Sequence, residues 1–73
     1  MRNLIGERLK KARKAAKLTQ LQLLFKLEEC NLYLEMTVIS KIENGTRPVN
    51  DIELVALAKT LKVSVLWLLN MEN

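Results

Sequence analysis

Apolar residues recur along this chain at intervals of three and four and almost never in sustained alternation, so the pattern is helical throughout. In "NLIGERLKKARKAAK", residues 3–17, Ile5, Leu9, Ala12 and Ala16 form one stripe, and the bases fall mostly on the other faces. The next segment opens with a strong start signal. Thr19 is placed to cap a helix, Gln22 three residues later completes a capping box, and Leu18 and Leu23 are placed as a hydrophobic staple. The helix that follows, "QLQLLFKLEEC", is apolar around most of its circumference, with Leu21, Leu23, Leu24, Phe25 and Leu27, more than one core face accommodates.

The stretch "ISKIENG", residues 39–45, admits a strand ending in a hairpin turn or a short helix. Ile39 and Ile42, three apart, give one apolar edge with Val38 beside it, while Thr37, Ser40, Lys41 and Asn44 face elsewhere. Gly45 supplies the left-handed residue that ends a helix, and "TRPVN" beyond it does not alternate as a hairpin requires. The pattern therefore predicts a helix over about 36–44. Pro48 bars helix just before it, and Asn50 with Glu53 forms a second capping box, with Val49 and Leu54 as its staple. A fourth helix is expected over "DIELVALAKTLK", burying Leu54, Leu57, Ala58 and Leu61. Ser64 then caps a short fifth, "VLWLLN".

Composition narrows the function classes. Seventy-three residues make one domain, 1–73, with a limited core and little room for a deep cleft. Histidine is absent and Cys30 is the only cysteine, so zinc sites, histidine acid–base chemistry and disulfide scaffolds drop out together, and no cofactor is implied. A lone cysteine and the absence of a long apolar run or signal-type leader point to a cytoplasmic protein without a membrane span. Ser40 and Lys41 do not make a nucleophile–base pair, because neighbours on a helix point apart; no enzyme is expected, and no small-molecule pocket is evident.

The net charge of +4 is unevenly spread. Residues 1–17 carry seven bases against one acid, while the remainder is slightly acidic. Such a block suits nucleic acid, an acidic membrane or an acidic protein, and equally the solvated face of a helix.

The run "IGERLKKARKAAKLTQ" followed by "ISKIENGTRPVNDIELVALAKTLKVSVLWLL" resembles the Cro and phage-repressor, or XRE, family of helix-turn-helix regulators over residues 4–70. The resemblance implies an all-α, compact five-helix, lambda-repressor-like domain whose third helix enters the major groove of double-stranded DNA. By position, Met36, Thr37, Ser40 and Lys41 match the base-contacting face, and Gln20, Asn44, Thr46 and Arg47 match residues that hold phosphates. Arg13 and Glu43 match a salt bridge between helix one and the end of the recognition helix; the alternative is two unrelated surface charges.

Three departures stand out. "LEECNLYLEM" is several residues longer than the common pattern, so helix two or the turn is extended. Glu35 replaces the usual serine or threonine cap of the recognition helix, and Lys17 stands where a glycine often closes helix one, which predicts a less regular turn there. Leu32, Tyr33, Leu34 and Met36 are expected to fold back over Leu21 or Phe25, the competing arrangement being an exposed patch between subunits. A homodimer is expected through the last helix, with Val65, Leu66 and Met71 outward while Trp67 and Leu68 complete the core. The function implied is a transcriptional regulator, most simply a repressor on a palindromic operator; the alternative is an antitoxin or protein-docking module on the same fold.

Overall fold

The computed structural model describes all 73 residues, and its regular structure is entirely helical: α1 (Gly6–Ala15), α2 (Gln20–Glu28), α3 (Met36–Glu43), α4 (Asp51–Leu61) and α5 (Val65–Leu68). Each helix contributes to one core. Leu9 of α1, Leu23 and Leu27 of α2, Ile39 and Ile42 of α3, Leu57 of α4 and Leu68 of α5 are fully buried together with Ile5. Burying side chains of this size contributes about 1.5–3 kcal/mol each, which is what holds five short helices that would be marginal alone.

The helix starts follow the capping chemistry. Thr19 accepts from the Gln22 amide at 3.1 Å and the Gln22 side chain accepts from the Thr19 amide at 2.8 Å, while Asn50 and Glu53 make the same reciprocal pair at 2.8 and 3.1 Å. Ser64 accepts from the Trp67 amide at 2.9 Å. Glu35, by contrast, makes no side-chain cap to α3.

The helix ends share one device that the pattern disclosed only in part. All five close with a residue in the left-handed region, Lys17, Asn31, Gly45, Lys62 and Asn70 in turn. In each case the following amide reaches back five residues to a carbonyl: Leu18 to Arg13, Leu32 to Leu27, Thr46 to Lys41, Val63 to Ala58 and Met71 to Leu66. This is the Schellman arrangement, which satisfies carbonyls that the helix itself leaves orphaned. The turn after α1 is therefore as regular as the others, contrary to expectation; Lys17 adopts φ 61° where glycine would do so without steric cost. It also ends the helix before Ala16, which lies outside α1 and exposed rather than on its buried stripe.

The segment after α2 departs further. Asn31 takes the left-handed conformation, and residues 32–35 lead to α3 without regular structure, Glu35 being extended. Side chains alternate along this segment: Leu32 and Leu34 pack on the core while Tyr33 points outward. No cover forms over α2: Leu21 remains 45% and Phe25 56% exposed, and Met36 is exposed as well. The inward leucines serve the common core rather than the far side of α2.

Candidate nucleic-acid interface

On α3 the buried edge is Ile39, Ile42 and Glu43. Opposite it, Thr37, Lys41 and Asn44 follow at four and three residues and form a single exposed row, with Met36 and Ser40 as the adjoining row four apart. The expected base-reading residues thus lie on one side of the helix. Thr37, Lys41 and Met36 are exposed and Ser40 is half-buried.

What fixes the end of this helix is α1 together with the start of α2. The Arg13 guanidinium donates to Glu43 through Nε, 2.6 Å from Oε2, and through Nη2, 3.1 Å from Oε1, while Nη1 donates to the Leu18 carbonyl at 2.7 Å. Both partners are buried. The charge-assisted hydrogen bond to Glu43 raises the Arg13 pKa against the opposing effect of burial, so the guanidinium stays charged throughout the working pH range. Gln20, the first residue of α2, donates from Nε2 to Glu43 Oε1 at 3.1 Å. One carboxylate at the end of α3 therefore joins three helices, and no buried side-chain polar atom lacks a partner. Gln20 has a second amide hydrogen and remains partly accessible, at a helix N-terminus whose backbone amides favour anions.

Two further residues of α1's approach do work that sequence reasoning missed. Asn3 accepts at Oδ1 from the amides of Ile5 and Gly6, 3.0 and 2.9 Å, and donates from Nδ2 to the carbonyls of Ile42 and Arg47, 3.0 and 2.8 Å. It caps α1 and ties that cap to the end of α3. Gly6 permits the close approach: a Cβ there would stand 2.6 Å from the Ile42 carbonyl oxygen and 2.8 Å from that of Glu43. Asparagine three residues before the first helical residue was a readable cap signal. Its long-range bonds had no signature in the sequence.

The loop after α3 contains the expected phosphate-facing residues, and the structure separates them. Asn44 and Thr46 are exposed, with Thr46 Oγ1 donating to the Lys41 carbonyl at 3.2 Å. Arg47 is engaged within the protein: Nη1 and Nη2 donate to the two Glu53 oxygens at 2.9 and 2.8 Å, and Nη1 also reaches the Pro48 carbonyl. The buried carboxylate of Glu53, third residue of α4, takes both ends of the fork, so the guanidinium braces the loop. The hydrogen bonds from Arg47, aided by that from the Asn50 amide, hold the Glu53 carboxyl below its ordinary range although burial opposes them.

The model of a helix-turn-helix family matches residues 35–68, from the N-cap of α3 to the last residue of α5. Residues 35–68 are a helix-turn-helix domain of the XRE/Cro type. With α1 and α2 packed against it, the domain has the lambda-repressor-like arrangement of five helices. The family is one of DNA-binding, non-enzymatic domains that serve transcription, and DNA is the partner it implies. Neither the curated proteins nor the solved structures yield a match to the chain. The match begins at the N-cap of α3, so α1, α2 and the long connector after Glu28 all lie outside it.

On the opposite side of the molecule, Arg8 lies over the Trp67 ring at 4.9 Å and donates from Nη1 to the carbonyls of Trp67 and Glu72, 2.8 and 2.7 Å. This holds α5 and the tail against α1. Leu68 is buried and Trp67 partly so, Val65 is half-buried, and Leu66 and Met71 face solvent. No helix is long and apolar enough to cross a membrane.

Proposed function

We propose that this domain reads the sequence of double-stranded DNA in the cytoplasm and represses transcription as a homodimer on a palindromic operator. The observation that carries the reading is the exposed row Thr37, Lys41 and Asn44 on a helix fixed from behind by the Arg13–Glu43–Gln20 cluster. A recognition surface must be accessible and held in place, and this row is exposed and anchored at its Asn44 end. Lys41 donates to guanine O6 or N7, Thr37 and Met36 offer methyl contact to thymine, and Ser40 lies at the margin of that face. Gln20, Asn44 and Thr46 contact phosphate and set the register, with Arg47 acting indirectly by holding their loop to Glu53.

Two copies pair through α5 and the tail, where Leu66 and Met71 project beside Val65. A protein-docking role has one observation in its favour, the bare apolar pair Leu21 and Phe25 on α2.

Selection of random duplexes by the purified chain, with the winners remeasured at two salt concentrations, tests the reading. An enriched palindrome is expected, with Lys41→Ala costing about 1–3 kcal/mol and relaxing the preference at one base step. Weak binding, uniform across sequences and lost in modest salt, would favour protein docking instead.

A further inference from the structure

The outward side of α4 carries a pattern that DNA reading through α3 leaves unused. Asp51, Val55 and Lys59 follow one another at intervals of four, forming a straight exposed row with Ile52 beside it. Ile52 is 71% and Val55 44% exposed. The row forms one wall of an open groove of about 540 Å³, and the turn after α2, with Cys30 and Leu32, forms the other. Neither Asp51 nor Lys59 has an ion-pair partner within the chain, whose two salt bridges are Arg13–Glu43 and Arg47–Glu53.

The order of charges is informative. At 1.5 Å per residue, Asp51 and Lys59 each stand about 6 Å along the helix from Val55, one on either side. An acid, an apolar centre and a base at equal intervals become their own complement after a half-turn about an axis through Val55. An acidic partner would meet Asp51 and a nucleic acid would be repelled by it, whereas a second copy satisfies both ends together.

We propose that this face binds a second copy of the chain, with α4 packed antiparallel on α4. Val55 meets its own counterpart on the axis, Asp51 lies opposite the partner's Lys59 and the reverse, and Ile52 enters the groove beside Cys30 and Leu32. A parallel alignment would place like charges together, so the charges select the antiparallel one. The contact is isologous. One row of a single three-turn helix from each copy makes a small contact, so it is weak in dilute solution and takes effect when copies are concentrated, as on neighbouring binding sites. It is distinct from the pairing proposed for α5 and holds whether or not that pairing occurs.

The test is sedimentation of the full chain in a Leu66→Ser background, which removes α5 from the readout, with circular dichroism to establish that each variant is folded. Lys59→Glu alone and Asp51→Lys alone place like charges at both ends and should each weaken self-association at least tenfold. Their equimolar mixture restores opposite charges at both ends and should recover it. Independently, Val55→Cys in a Cys30→Ser background should form a disulfide-linked dimer on mild oxidation, because the residue meets itself on the axis. A mixture that associates no better than its components overturns the proposal. So does a Val55→Cys protein that stays monomeric, and this second readout decides the matter if Asp51→Lys does not fold.

Discussion

Arg13 and Glu43, thirty residues apart, meet in a two-bond ion pair buried between α1 and the end of α3, with Nε 2.6 Å from Oε2 and Nη2 3.1 Å from Oε1. Removing water from two charges is costly, and a buried pair adds little net stability against an apolar replacement, yet breaking it strands a charge. Its contribution is directional. It sets where α3 ends relative to α1, and the exposed row of α3 is set with it.

Glu43→Ala should lower the unfolding free energy by about 3–5 kcal/mol, because Arg13 is left buried without its carboxylate. The double replacement Arg13→Met with Glu43→Leu should recover most of that loss. Urea denaturation of the three proteins gives the comparison, and a double variant as unstable as the single one would show that the pair itself stabilises the fold.

Gly6→Ala should cost about 1–3 kcal/mol, since the added methyl meets backbone oxygens that no rotamer change can move. Because α3 must shift to admit it, duplex affinity should fall by more than the lost stability explains. The measurement is DNA titration at a temperature where the variant is fully folded.

Gly45 is a different kind of glycine. A Cβ there would make only an ordinary contact, 3.7 Å from Met1 Cγ, but its φ is 76°. Gly45→Ala should therefore cost about 1 kcal/mol through torsional strain alone. The converse applies at Lys62, φ 58°, where Lys62→Gly should raise stability by about 0.5 kcal/mol, the relieved strain less the greater freedom of the unfolded chain. Thermal melts of the two variants should shift in opposite directions.

Acid should weaken the fold partly through Glu53. Its pKa is lowered in the folded state from an ordinary 4.5, so its contribution is complete above that value and is lost as pH falls through the lower folded one. Glu53→Gln should be less stable than the parent at neutral pH and should show a flatter decline below about pH 4.5, read from urea midpoints across pH 2–7.

The helix starts were legible because capping is local: Thr19 with Gln22, Asn50 with Glu53, and Ser64 each declare themselves within four residues. The apolar edge of Ile39 and Ile42 likewise identified α3 and, by exclusion, its exposed face. Long-range partners left weaker traces. Nothing near Asn3 announces a bond to Arg47, a glutamate at position 53 reads as a cap before it reads as an arginine's partner, and Gly6 looks unremarkable until α3 is laid against it. The connector leucines do seek cover, but from the common core and not from the far side of α2, because Leu32 and Leu34 both face inward while Tyr33 points out.

The bonds from Asn3, Gly6's close seat and the Arg13 fork all grip α3 near Ile42 and Glu43, whereas its first turn, at Met36 and Thr37, has no side-chain cap. On the reading proposed above, α3 acts as a cantilever, clamped at its Ile42–Glu43 root, with its first turn directed to the bases. Small tilts of the tip would leave the clamp intact, so the hydrogen-bonded amides of Val38 and Ile39 should exchange with solvent faster than those of Ile42 and Glu43, and DNA should slow the tip far more than the root.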